Sequence, residues 1–256
     1  MAQLQRLAIA PSQLQDQQIL LTTQQQHYLG HVLRLREGDR FIAMDGQGRW
    51  WLAKLEANQA RILEPISVQT ELPISITLMV ALPKGNGFDE VVRSCTELGV
   101  ACFVPVMSKR TLLNPSLQKL ERWRRIAKEA AEQSERSVVP AILEPVSFAT
   151  AISGDTATQR YLCIARNTCP HLKDAIKSVS KTSADILIAT GPEGGWTASE
   201  VEWAIQAGFQ PVSLGRRILR AVTAPVVALS LVAAAFEGWI RHFKHETRGI
   251  LIAPSP

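Results

Sequence analysis

Two glycine-bearing loops hold the residues best suited to chemistry. In the first, Gly191-Pro192-Glu193-Gly194-Gly195 follows an apolar run and precedes Thr197, which with Glu200 makes the capping box that opens a helix. In the second, Leu214-Gly215-Arg216-Arg217-Ile218-Leu219-Arg220 sets three guanidiniums within five residues. Such a cluster repels itself unless an anion or carboxylates balance it. Glycines let backbone amides and carbonyls come close to a ligand, and Pro192 stiffens its turn. Two tight turns that serve packing alone are the competing reading.

Other chemistries find no foothold. Gly46-Gln47-Gly48 and Gly85-Asn86-Gly87 lack the third glycine of a dinucleotide fingerprint, and no Gly-Lys-Ser/Thr follows Gly195 to cradle a nucleoside triphosphate. His27 and His31 are four apart, but Tyr28-Leu29-Gly30 between them offers no carboxylate, and His242 and His245 lie in a basic tail. No Cys-x-x-Cys step joins Cys95, Cys102, Cys163 and Cys169, so no metal is expected. A Gly-x-Ser-x-Gly elbow is absent, which leaves no hydrolase triad.

The two loops need a scaffold that brings them together. From Ile76 onward strands alternate with amphipathic helices, the pattern of a parallel sheet covered on both faces. The strands expected are Ile76 to Leu82, Cys102 to Met107, Tyr161 to Ala165, Asp185 to Ala189 and Pro211 to Leu214. Helices are expected over Asp89 to Leu98, stopped by Gly99, over Leu120 to Ser134, from Thr197 to Gly208, and from Thr223 to Phe236. In open α/β sheets ligands bind at strand carboxyl ends, where both loops fall. Residues 1–72 read instead as a small β domain. Arg40 to Met44 alternates, Asp45 to Gly48 turns and Arg49 to Leu55 extends again, while His27 to Leu35 is a short helical pattern through Tyr28, Val32 and Leu35. Val68 to Ser75, with Pro73, is the expected linker to residues 73–256.

The 256 residues are 46% hydrophobic and 20% charged, which excludes a disordered chain and suits one large or two smaller cores. The net charge of +5 is regional: residues 1–72 carry seven basic and seven acidic side chains, so the whole excess lies beyond them. Lys109 to Arg136 holds eight basic and four acidic residues, which a solvated helix face accounts for without a ligand. Between Arg220 and Glu237 lie sixteen uncharged residues, short of the ~20 that span a bilayer. A buried or subunit-interface helix is expected there. No apolar signal segment follows Met1, and a cytoplasmic protein is expected.

At His27-Tyr28-Leu29, Val32-Leu33-Arg34-Leu35, Ala81 to Lys84, Thr96-Glu97-Leu98-Gly99-Val100, Glu129 to Ser134, Gly191 to Gly195 and Leu214 to Ala224, the chain resembles the bacterial 16S ribosomal RNA uridine N3-methyltransferases of the knotted SPOUT superfamily. The resemblance covers nearly the whole chain. It implies an N-terminal PUA-like β domain for RNA binding, over 1–72. It also implies a C-terminal α/β methyltransferase domain, over 73–256, with a trefoil knot that binds S-adenosylmethionine and pairs as a homodimer. By the same resemblance the cofactor loops fall on Leu162 to Ala165, Thr190, Gly191, Pro192, Gly194 and Gly195, and Leu214, Gly215, Ile218 and Leu219.

Methyl transfer from a sulfonium is an in-line displacement that needs alignment and loss of the uridine N3 proton. Arg220 is the first candidate to stabilise the resulting anion and Arg217 the second, with Glu193 as an orienting or proton-accepting partner. Glu193 could equally be a carboxylate that favours a helix N-terminus. Lys84, Arg110, Arg136 and Arg34 are expected at RNA phosphates, or as plain surface charges. The family often shows Leu-Gly-Pro-Arg-Ile-Leu-Arg-Thr-Glu-Thr-Ala, whereas here Arg216 stands for Pro, Ala221 for Thr and Val222 for Glu. The loss of that carboxylate keeps two alternatives open: a non-catalytic ribosome-assembly factor, and transfer to another RNA acceptor atom.

Overall fold

The computed structural model describes residues 4–112, 115–154, 157–165, 168–180 and 184–240. In chain order the first strands are β1 (Arg6–Ala8), β2 (Leu14–Gln15), β3 (Gln18–Leu20), β4 (Arg40–Met44), β5 (Trp50–Glu56) and β6 (Gln59–Ile66), with helix α1 (Thr23–His27) among them. There follow β7 (Ser75–Ala81), α2 (Gly87–Glu97), β8 (Cys102–Met107), α3 (Leu117–Gln133), β9 (Ala141–Ile142), β10 (Val146–Ser147), α4 (Phe148–Gly154), β11 (Gln159–Cys163), α5 (Leu172–Ala175), β12 (Asp185–Thr190), α6 (Ala198–Gln206), β13 (Gln210–Val212) and α7 (Thr223–Ile240). Two compact units result, one of residues 1–71, 88–103 and 114–144, the other of 72–87, 104–113 and 145–256.

The first unit is built on a six-stranded sheet in the order β1-β4-β5-β6-β3-β2, antiparallel except where β1 runs parallel to β4. Its core joins Leu7, Ile19, Phe41, Ala53 and Leu55 with Leu29. The helical pattern expected over 27–35 starts earlier, at Thr22, whose hydroxyl accepts from the Gln25 amide, and ends in a wide turn over Tyr28–Val32. That extra residue per turn shifts the phase. Leu29 is fully buried while Tyr28 and Val32 stay exposed.

In α3 the expected stripe of Leu120, Trp123, Ile126, Ala127 and Ala130 is buried. Asp89 of α2 accepts from Trp123 Nε1 at 3.0 Å and Arg122 Nε at 2.7 Å, and Gly99 stops α2 in the left-handed region at φ 93°. The expected linker is fastened rather than loose. Glu71 accepts from the Ser137 and Val138 amides at 2.9 and 3.1 Å and pairs with Arg136, which also donates to the carbonyls of Thr96 and Val100.

Glu132 of α3 accepts the Ala8 amide at 2.6 Å. Burial pushes its carboxyl up, with Glu129 adding to the rise while the Ala8 bond and Lys128 oppose it. The folded state therefore holds this proton more tightly than the unfolded chain does. The stability this contributes is complete below the ordinary carboxyl range and is lost as pH rises through the elevated value. Glu132→Gln keeps an acceptor for Ala8, so melting curves should show it more stable than the parent near neutral pH. That advantage should fade in mild acid; one independent of pH would assign the effect to packing.

In the second unit a parallel sheet runs β10-β8-β7-β12-β11-β13. Ile76, Leu78, Val80, Ile186 and Ile188 are buried, as strands covered on both faces require. In α7, Ala228, Leu229, Val232, Ala233 and Phe236 are buried, whereas Val226, Val227 and Leu231 are only half-buried. Thr223 is its first residue, as expected, and the carbonyl of Arg220 receives the Thr223 and Ala224 amides. Among the described residues no helix is long and apolar enough to cross a membrane.

Candidate active site

Parallel neighbours end side by side, so their exit loops share one edge of the sheet. Leu162 lies opposite both Ala189 and Pro211, and Cys163 lies opposite Val212. The loops leaving β11, β12 and β13 therefore converge. They wall a cavity of about 460 Å³ formed by Cys163 to Ala165, Gly191 to Trp196, Leu214, Gly215 and Arg217 to Leu219. Ala198 and Val201 of α6, Ala221, Ala224 of α7 and Arg110 complete it.

Close packing explains the glycine loop. A Cβ on Gly191 would lie 3.1 Å from Trp196 Nε1, and one on Gly194 would lie 3.0 Å from Arg110 Cδ. The Trp196 indole donates to the Cys163 carbonyl at 3.2 Å and stacks on Phe148 with ring centroids 4.3 Å apart. One aromatic side chain thus ties the loop after β12 to the end of β11. On the third loop, the N–H groups of Arg217, Ile218 and Leu219 and the carbonyl of Ile218 have no protein partner among the described residues. A pocket lined by free backbone donors and acceptors suits a heterocycle with polar edges.

Three charged side chains line the cavity, Arg110, Glu193 and Arg217. Glu193 Oε1 accepts the Lys84 amide at 2.9 Å, and Arg110 Nη1 donates to the Gly194 carbonyl. Cys163 presents an inert sulfur: burial, with Cys169 nearby, pushes its thiol up to about 12 and keeps it protonated. Among the described residues no group of three His, Cys, Asp or Glu side chains is placed to hold a metal, and His242 and His245 lie outside the described residues.

Most of the residues expected at a ligand meet here: Ala165, Gly191 to Gly195, Leu214, Gly215, Arg217, Ile218 and Leu219. Leu162 and Thr190 do not line the cavity. Both are fully buried in their strands, and Cys163 and Ile164 form the wall beside them. Arg220 is exposed but outside the lining. Lys84 and Arg34 are exposed, as phosphate contacts need to be. Arg136 is a correction: it is 4% exposed, with its donors committed to Glu71, Thr96 and Val100, so no phosphate reaches it. Sequence reasoning missed Trp196 and the cavity position of Arg110. Only an aromatic directly after the glycine loop could have flagged the first.

Residues 70–233 match the family model of the RNA methyltransferase domain. The chain belongs to this family. Residues 21–63 match the PUA domain of RNA methyltransferases, so the α/β class with an N-terminal PUA-like domain is borne out. Among relatives of this methyltransferase family, Ribosomal RNA small subunit methyltransferase E of Synechocystis is 50% identical over 237 residues, covering 91% of this chain and 78% of that protein. The protein of the same name from Bacillus subtilis is 32% identical, covering 83% and 88%. A crystal structure of the Neisseria gonorrhoeae protein of that name, bound to S-adenosylmethionine, superposes with a TM-score of 0.81 at 30% identity, covering 91% of this chain and 98% of that one.

Proposed function

We propose that the protein uses S-adenosylmethionine to methylate N3 of a uridine in small-subunit ribosomal RNA, with the cavity at the ends of β11, β12 and β13 as its cofactor site. The observation that carries this reading is the convergence of three loops, with unpartnered backbone groups, on one cavity in an RNA methyltransferase. When bound, S-adenosylmethionine supplies an electrophilic methyl group on a sulfonium. Arg217, Ile218 and Leu219 would meet the adenine edge through main-chain groups, as their free amides favour. Trp196 and Gly191 hold the opposing loop in place.

Arg217, at the cavity, stabilises the negative charge left on the uridine when its N3 proton departs. Arg220, exposed near the start of α7, is the second cation for the same anion or for the adjoining phosphate. Glu193 uses one carboxylate oxygen for the Lys84 amide, leaving the other to orient the base or take its proton. The missing family carboxylate has a packing consequence: Val222 Cγ1 lies where a Cβ on Gly87 would come within 2.8 Å. An apolar contact occupies that position, so Glu193 or solvent is the proton acceptor.

Residues 1–72 are assigned to RNA binding and 73–256 to methyl transfer, with Lys84 and Arg34 at phosphates. A homodimer through the half-buried face of α7 and a cytoplasmic setting complete the reading. The test is incubation of the protein and labelled S-adenosylmethionine with small ribosomal subunits lacking the modification, followed by nucleoside mass spectrometry. The expected product is N3-methyluridine in the 16S RNA. A different methylated nucleoside would overturn the acceptor atom. Binding of cofactor and RNA without transfer, where an active relative succeeds, would favour the assembly-factor reading.

A further inference from the structure

Two guanidiniums line the cavity, Arg110 and Arg217, against the single carboxylate of Glu193. Cations repel a sulfonium, so arginines beside such a cofactor need an anion to face. S-adenosylmethionine carries one, the carboxylate of its methionine part.

Arg110 is held as a binding group would be. Its stem lies across Gly194, so closely that a Cβ there would stand 3.0 Å from Arg110 Cδ, and Nη1 is anchored on the Gly194 carbonyl. The segment that bears it is pinned to the start of α6. The Lys109 amide donates to Glu200 Oε1 at 2.7 Å, and Lys109 Nζ donates to Ser199 Oγ at 2.8 Å while lying 4.5 Å from the Trp203 ring centroid. Glu200 is buried and caps α6, whose N-terminal end carries partial positive charge and contributes Ala198 to the cavity wall. Among the described residues Nε and Nη2 of Arg110 have no acceptor, so part of the guanidinium fork remains open for a carboxylate. No contact among the described residues fixes the Arg217 side chain in this way.

We propose that Arg110 binds the carboxylate of S-adenosylmethionine, rather than an RNA phosphate. This assignment rests on the reading of the cavity as the cofactor site. It makes Arg110 the residue that selects a cofactor with an intact amino-acid end.

Calorimetry of the full-length protein with S-adenosylmethionine and with its decarboxylated form, which differ only in that carboxylate, tests the assignment. The parent should prefer the carboxylated ligand by about 10- to 100-fold, the size of a charge-assisted hydrogen bond. Arg110→Ala should abolish the preference by weakening S-adenosylmethionine alone, and Arg110→Lys should restore part of it. Equal weakening of both ligands would make Arg110 a loop clamp and overturn the proposal. So would an intact preference with weaker RNA binding, which assigns Arg110 to phosphate, or loss of the preference in Arg217→Ala instead. Ile218→Ala, at an exposed position of the lining, tests the cavity itself. It should weaken both ligands together, and unchanged affinity for both would sink the cofactor-site reading rather than the assignment of Arg110.

Discussion

Arg217→Ala lowers turnover about 10²- to 10³-fold, the usual cost of removing one donor to a developing anion, while substrate and cofactor affinities change little. Its side chain is exposed at the cavity and bonds to nothing among the described residues, so truncation leaves no buried group unsatisfied. Stability should stay within about 0.5 kcal/mol of the parent. Single-turnover kinetics with small subunits separates the chemical step from binding. The fall should appear in the rate at saturating cofactor and RNA, with Lys partly replacing Arg. A defect confined to RNA affinity, largest at low salt and shrinking as salt is raised, would make Arg217 a phosphate contact. Arg220→Ala should act more weakly on the same step, because Arg220 stands outside the lining.

Arg136→Ala should cost about 3–5 kcal/mol in stability, the penalty for breaking a buried ion pair by removing one partner. Glu71 would keep its bonds to the Ser137 and Val138 amides but lose its counter-ion, the Val100 carbonyl would lose the guanidinium donor, and the Thr96 carbonyl would keep only the Gly99 amide. The urea midpoint should fall, with RNA affinity of the remaining folded protein unchanged. Because Arg136, just after α3, joins residues 71, 96 and 100, its loss loosens the segment that follows β6 together with the C-terminal ends of α2 and α3. Adding Glu71→Gln should recover part of the stability by neutralising the stranded charge. A surface phosphate contact would give the opposite pattern, with unchanged stability and weaker, less salt-dependent RNA binding.

These two arginines show where sequence reasoning reaches and where it stops. Arg217 stands beside Arg216 and Arg220, and Arg136 closes a stretch of eight basic and four acidic residues, and that charge count does not separate one that lines a cavity from one that crosslinks a core. The strands were legible because apolar runs of the right length sit between turn signals: Cys102–Met107 and Arg40–Met44 have the bounds expected of them. The helix at Thr197 was legible because its cap is a local hydrogen bond between residues three apart. Short elements such as β9, β10 and α4 left no pattern, being too brief for a period to register. The wide turn at Tyr28 misled the helical phase for a related reason, since a 3.6-residue period presupposes α-helical spacing.

The sequence by itself determined the types of the longer elements, the parallel-sheet class and the two loops able to meet a ligand, because propensity, capping and glycine conformations are set by neighbours along the chain. Only the tertiary structure decided which strands are neighbours. β12 takes its place between β7 and β11, and β13 lies outside β11, so loops far apart in sequence leave neighbouring strand ends and enclose one cavity. Strand order also carries Arg110 to Gly194, and Trp196 to Cys163, across separations of 84 and 33 residues. Such pairings depend on the packing free energy of the whole sheet, which no local pattern of residues contains.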